Sequence, residues 1–396
     1  MMNYTFSKPF EQLKPSAIRE IFKSLGTPGA ISFAAGNPAP ESFPVKELSV
    51  LAAEIFESAP TTALQYGVTE GYTPLRELVA KRLQSKFAID TDNNMTIITS
   101  GGQQAIELAC KVLCNPGDVV LCENPSFIGA LNAFRSLGAR PVGVEMEADG
   151  ICVEALETAL KTTQNVKMLY LIPTFHNPTG ITMSAEKRRA VYALAQQYNV
   201  IILEDNPYGE LRFAGKEVPT FKSMDTDGRV IYCGSFSKVL SAGMRIGFAC
   251  GAEALLQKMV VAKQVEDVHT NQFFQMLCTR YLQTCDLDAH IASIQALYRQ
   301  KCGEMLTALE QYMPTCVDYT RPEGGLFLWC TLPKNLAMMD VVKAAAEQKV
   351  FVVAGTAFNC DTEAPSDAFR LNYSMPSAEE IDKGIAILSD VIRKKL

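Results

Sequence analysis

Histidine is scarce here, with three residues among 396, and there is a single tryptophan. Twelve cysteines are present, but they are scattered and none falls in a C-x-x-C pair. A zinc site therefore has little support, and no metal is expected. Many of the cysteines lie in apolar runs, as Cys122 does in "VVLCE". Cys110 and Cys114 fall four apart on one expected helix. They read as packed free thiols of a reducing cytoplasm. A basic excess is also lacking: 37 Lys and Arg stand against 43 Asp and Glu, a net charge of −6. That argues against nucleic acid as the main partner, since phosphate backbones need a basic surface. No run of about eighteen apolar residues occurs, so no membrane span is expected. The polar start "MMNYTFSKPFEQLKPSAIRE" has no apolar signal core.

What is present is an ordinary globular composition, 48% apolar and 20% charged, in a chain long enough for a large and a small domain. Residues 1–45 read as an arm that packs with the small domain and carries one short helix near "SAIREIFKSL". The expected large domain is 46–290 and the small C-terminal domain 291–396. Between about residues 90 and 250, short β-rich runs ("MTIIT", "DVVLCE", "KMLYLI", "NVIILED", "RVIYCG", "RIGFACG") alternate with helical patterns such as "GQQAIELACKVLC" and "SAEKRRAVYALAQQYN". Ser184 suits the N-cap of the second helix, with Glu186 in its first turn. Strands that are continuous Val/Ile/Leu runs belong to a sheet buried on both faces. The fold class is α/β, a mostly parallel sheet between helices, with a smaller α+β domain built on "GGLFLWCTL", "VFVVAG" and "AFRLNYS".

In such sheets, ligands gather at the carboxyl ends of the strands. Four ends carry polar residues: "SGGQQ", "HNPTG", "DNPYGE" and "SFSK". The two glycines of "SGGQQ" open a helix and suit either an anion or a tight turn. Ser235, Ser237 and Arg245 offer further anion donors. Asp205 ends an apolar strand, which fits either a function or an Asx-turn before Pro207. Tyr208 lies three residues on. Asn177 reads first as a turn residue before Pro178. Lys238, set among small and apolar residues, is either an exposed loop lysine or a desolvated amine ready for Schiff-base chemistry. An aldehyde cofactor with a phosphate and a ring nitrogen would use all these groups: pyridoxal 5′-phosphate.

Taken in order, "SGGQQ", "HNPTG", "EDNPYGEL", "SFSKVLSAGMRIGF" and "FRLNYS" resemble the fold-type I, pyridoxal-phosphate-dependent aminotransferases of class I/II. The likeness runs from about residue 30 to the end, nearest the aminoadipate/kynurenine branch. That branch also resembles the effector domains of certain transcription regulators. The resemblance implies that Lys238 carries the cofactor and shuttles a proton. Asp205 would pair with the ring nitrogen, and Asn177 and Tyr208 with the ring hydroxyl. Gly102, Gln103, Ser235, Ser237 and Arg245 would hold the phosphate. Phe127 would stack on the ring where the family often has tyrosine. Arg370 would bind the substrate carboxylate. Gly36 and Arg19 would belong to a segment folding over the substrate. Tyr66 would reach the neighbouring subunit's phosphate, which implies a homodimer with shared sites. The substrates would be an amino acid and a 2-oxo acid.

Three alternatives stand beside this. Ser235-Phe-Ser-Lys238 fits the S-x-x-K of serine acyl-enzymes, but neither S-D-N nor K-T-G occurs. A regulatory module would need a basic N-terminal DNA-binding domain, and only about 45 non-basic residues precede the large domain. A β-lyase or decarboxylase would share every cofactor contact, so these residues do not separate it from a transaminase.

Overall fold

All six apolar runs of the central region form strands of one sheet in the computed structural model, which describes residues 4–13 and 29–396. Arg19 and "SAIREIFKSL" lie outside the described residues. In chain order the strands are β1 (Ile31–Ser32), β2 (Met95–Thr99), β3 (Val119–Asn124), β4 (Arg140–Glu147), β5 (Gly150–Ile151), β6 (Val166–Leu171) and β7 (Ile201–Asp205). There follow β8 (Val230–Ser235), β9 (Gly247–Gly251), β10 (Asp318–Tyr319), β11 (Phe327–Thr331), β12 (Val350–Phe351), β13 (Val353–Ala354) and β14 (Ala368–Asn372).

The large sheet has eight strands in the order β2-β9-β8-β7-β6-β3-β4-β5. Strands β8, β7, β6, β3 and β4 pair in parallel, while β9 runs against both its neighbours. Alternate residues feed two cores. Val120, Cys122, Met168, Tyr170, Leu203 and Ile231 pack on one face. Val119, Leu121, Leu169, Leu171, Ile202 and Val230 pack on the other. That is the period-2 division of a sheet covered on both sides. Ser184 caps its helix as expected, accepting from the Lys187 amide at 3.3 Å.

Strand β4 was not legible as an apolar run. It reads "RPVGVEME", contains a proline and a glycine, and buries fully only Val144. It pairs with β3 on one side and only a two-residue strand on the other, a near-edge position that tolerates such a sequence.

A second sheet, β10-β11-β14-β13, is antiparallel. β1 adds a parallel pair to β12, Ile31 opposite Val350. The expected boundary at residue 290 falls inside a 26-residue helix, Leu287–Tyr312.

The reversal at β9 shapes the site. Chain leaving β8 at Ser235 must turn back to enter β9 at Gly247, and the loop between them holds Lys238; the Phe236 amide closes it onto the Ile246 carbonyl at 3.0 Å. The return passes so near the Gly101 turn that a Cβ on Gly247 would lie 2.5 Å from the Gly101 carbonyl carbon. Gly247→Ala is expected to cost about 1–3 kcal/mol by overpacking. A urea-unfolding midpoint equal to that of the parent protein would contradict this contact.

Candidate active site

Lys238 is held in the β8–β9 loop by its apolar neighbours Phe236, Val239 and Leu240, all buried. Its Nζ donates to the Gly36 carbonyl at 2.8 Å and lies 6.0 Å from the Tyr208 ring centre. Burial, then the nearby guanidinium charges of Arg370 and Arg245, push its pKa down to about 8. This is not a solvated loop lysine.

Asp205 closes β7 at 5% exposure. Its Oδ2 accepts from the Tyr170 hydroxyl at 2.7 Å. Desolvation raises its pKa to about 6 against the lowering effect of that bond. Among the described residues no cation pairs with it. The Asx-turn reading is therefore not what the structure shows: Asp205 accepts from a phenol on the neighbouring strand.

Arg370 is central in β14, opposite Trp329 of β11 and Val353 of β13. It is 1% exposed. Its guanidinium lies over the rings of Phe327 (4.1 Å) and Phe358 (5.0 Å). Nη1 donates to Asn177 Oδ1 and Nη2 to the Ala34 carbonyl, each at 2.8 Å, while Nε is buried without a partner. Desolvation lowers its pKa to about 10. Asn177 Nδ2 in turn donates to the Tyr208 hydroxyl at 3.5 Å. Burial raises the Tyr208 phenol above its ordinary value, so it remains protonated.

Next to Lys238 lies an anion cup. The Ser235 hydroxyl donates to Ser237 Oγ at 2.8 Å. Arg245 reaches Ser237 Oγ at 3.5 Å and the Ser100 carbonyl at 3.2 Å. Gly101, with φ +81°, caps the helix Gly102–Leu113, and a Cβ there would collide with the Arg245 guanidinium. Helix amides, two hydroxyls and a guanidinium thus converge. Gln103 turns aside, its Nε2 donating to the Gly129 carbonyl at 2.8 Å. Phe127 caps the next helix, its ring against Gly129.

The structure therefore assembles Lys238, Asp205, Asn177, Tyr208, Arg370, Gly36 and the cup of Gly102, Ser235, Ser237 and Arg245. Tyr66 stands apart at 81% exposure, its ring edge-on to His269 at 5.7 Å. Sequence reasoning missed Tyr170, whose signal is its place in a buried run on the neighbouring strand, opposite Leu203 and two residues from the level of Asp205, and missed Ser100 and Gly101 as parts of the cup.

These groups suit a cofactor with an aldehyde, an anionic tail and a ring cation. The amine is desolvated, the buried carboxylate has no cation, and an arginine has one nitrogen still unpaired. Residues 28–388 match the family described as aminotransferase class I and II, and the chain belongs to it. It is 39% identical to an aromatic-amino-acid aminotransferase of Thermococcus litoralis over 99% of this chain and 94% of the relative. A kynurenine aminotransferase of Pyrococcus horikoshii, solved in complex with PMP, superposes with a TM-score of 0.95 at 39% identity, covering 99% and 97% of the two chains. The α-aminoadipate aminotransferase of Thermus thermophilus, complexed with N-(5′-phosphopyridoxyl)-L-leucine, does so with 0.90 at 37%, covering 98% and 97%. The protein is a pyridoxal-phosphate-dependent transaminase. Among the described residues no helix is long and apolar enough to cross a membrane.

Only the neutral amine attacks an aldehyde. On the expectation that Lys238 captures the cofactor, capture by the apoenzyme should rise with pH to a midpoint near 8, Lys238 being an ammonium below it. Stopped-flow absorbance would show this. A midpoint at the free-lysine value of about 10.4 would refute the desolvated amine.

Proposed function

We propose that Lys238 carries the cofactor, on the strength of one observation: a desolvated amine set between the anion cup and a buried carboxylate that has no cation. When bound, pyridoxal phosphate supplies an aldehyde for the substrate amino group and a protonated ring that accepts electrons. Asp205 holds the ring-nitrogen proton, and Tyr170 keeps that carboxylate aimed. Asn177 and Tyr208 donate to the ring hydroxyl. The amides at Gly102, with Ser235, Ser237 and Arg245, hold the phosphate, Gln103 supports that turn, and Phe127 covers the ring. Arg370 binds the α-carboxylate through a bidentate fork. Lys238 Nζ would take the Cα proton and return it. The amino acid leaves as a 2-oxo acid, and a second 2-oxo acid is aminated in return.

The resemblance to the aminoadipate/kynurenine branch supports broad use of amino-acid donors, with 2-oxoglutarate as acceptor. The relatives' names, aromatic, kynurenine and α-aminoadipate aminotransferase, point the same way. Gly36 belongs to the segment over the substrate, and Arg19, outside the described residues, is assigned to it by resemblance alone. The working form is a homodimer in which Tyr66 serves the neighbour's phosphate. Leu64, Tyr66 and Val68 are exposed at 74%, 81% and 56%, an apolar strip suited to burial against a second copy. Twelve free thiols suit the cytoplasm.

Following each amino acid of a panel by the absorbance change of the bound cofactor would assign the donor. Arg370→Ala is expected to raise the amino-acid KM on the order of 100-fold, the worth of a charge-assisted pair, while sparing cofactor binding. An unchanged KM would remove Arg370 from the carboxylate role.

A further inference from the structure

Behind the anion cup lies an ion pair, buried at its lysine and half-buried at its aspartate, that the mechanism does not use. Lys263, its side chain fully buried, donates to both carboxylate oxygens of Asp267 at 2.8 and 2.9 Å. It also donates to Gln104 Oε1 at 2.6 Å, the same oxygen that accepts the Ser100 amide at 2.8 Å. Asp267 Oδ2 takes the Ser100 hydroxyl and the Gln104 amide, both at 2.8 Å. Ser100 is thus gripped at its amide and its hydroxyl, and its carbonyl meets Arg245.

The next residue is strained. Val268 has φ +66°, a region that β-branched residues rarely adopt, and such strain persists only where the surroundings impose it. Here the Lys263 carbonyl accepts both the Asp267 and the Val268 amides, at 3.0 and 3.2 Å. The consequence is to turn Asp267 toward the cup and His269 the opposite way. His269 Nε2 accepts the Gly67 amide at 3.3 Å, and Nδ1 donates to the Thr270 carbonyl at 2.8 Å. Both nitrogens of a neutral imidazole are used, and its ring carries the edge of Tyr66.

We propose that the turn Asp267-Val268-His269, braced by Lys263, is a positioning device for cofactor phosphate in two sites at once. Asp267 sets the Ser100–Gly101 turn of its own subunit. His269 sets Tyr66 for the neighbour, and this half rests on the shared-site reading above.

Apoenzyme variants titrated with pyridoxal phosphate by equilibrium dialysis test this. Asp267→Asn is expected to raise the cofactor Kd about tenfold or more, while kcat under saturating cofactor and the amino-acid KM stay within about twofold. Tyr66→Phe and His269→Ala should each raise it, and the double variant should be no weaker than Tyr66→Phe alone. An unchanged Kd in Asp267→Asn, or raises that multiply in the double variant, would overturn the proposal. Should Asp267→Asn fail to fold, Ser100→Ala removes only the hydroxyl that Asp267 holds and must raise the Kd; no rise there overturns it too. If Tyr66→Phe alone leaves the Kd unaltered, the shared site fails together with the His269 half, and the Asp267 half stands or falls on its own variant.

Discussion

A carboxylate buried without a cation is the constraint around which the rest of the site is arranged. Asp205 sits at the end of an apolar strand, where an ionised group is costly unless it is compensated. Tyr170 supplies one hydrogen bond and no charge. The remaining demand is for a positive group in the cleft, which the proposed partnership with a protonated ring would meet. The neighbouring acid does not compete. Burial raises Glu123 to about 8, and burial lowers the adjacent His176 to about 3, so both stand neutral near pH 7. Asp205, at about 6, is left as the ionised group beneath the cleft.

The cations are arranged by the opposite logic. Lys238, Arg245 and Arg370 lie near enough that both guanidiniums oppose a charge on the lysine. A guanidinium keeps its proton, and a buried lysine gives its own up more readily. Mutual repulsion is therefore relieved by the one group whose neutral form is the reactive form. The two arginines come from different structures, the Lys238 loop and the small antiparallel sheet, so this tuning exists only in the folded whole.

What could be read in advance follows from the same physics. The six apolar runs were legible because a sheet covered on both faces needs no polar alternation. Lys238, Asp205 and Asn177 were legible because strand ends are where such residues gather. β4 escaped because its neighbour on one side is a two-residue strand, and its residues face solvent enough to be Arg, Pro and Glu. Tyr170 escaped because a tyrosine within an apolar run reads as packing until the residue across the sheet is known. Asp267 and His269 escaped for a different reason: they sit between two helices, with no strand end to draw attention. Only the contact of Asp267 with Ser100, 167 residues away, gives that turn a meaning.

The segment from Phe33 to Asn37 connects the two halves of the site. Ala34 accepts from Arg370, and Gly36 accepts from Lys238. Phe33 accepts the Asn372 amide at 2.8 Å, and the Asn37 carbonyl accepts the Ser374 hydroxyl at 2.6 Å. β1, just before it, is paired to β12. The small sheet therefore carries this segment with it, and the segment occupies the lysine. A hydrogen bond from a charged donor is worth about 1.5–3 kcal/mol, so Gly36 favours the ammonium while the surrounding guanidiniums favour the amine. Were the proposed aldehyde held by Lys238, that bond to Gly36 would have less to offer, and the segment would keep one tie fewer to the large sheet. The contacts that remain are to Arg370 and its strand. On the proposed roles, capture of the cofactor at Lys238 and carboxylate binding at Arg370 would act on the same five residues from opposite ends.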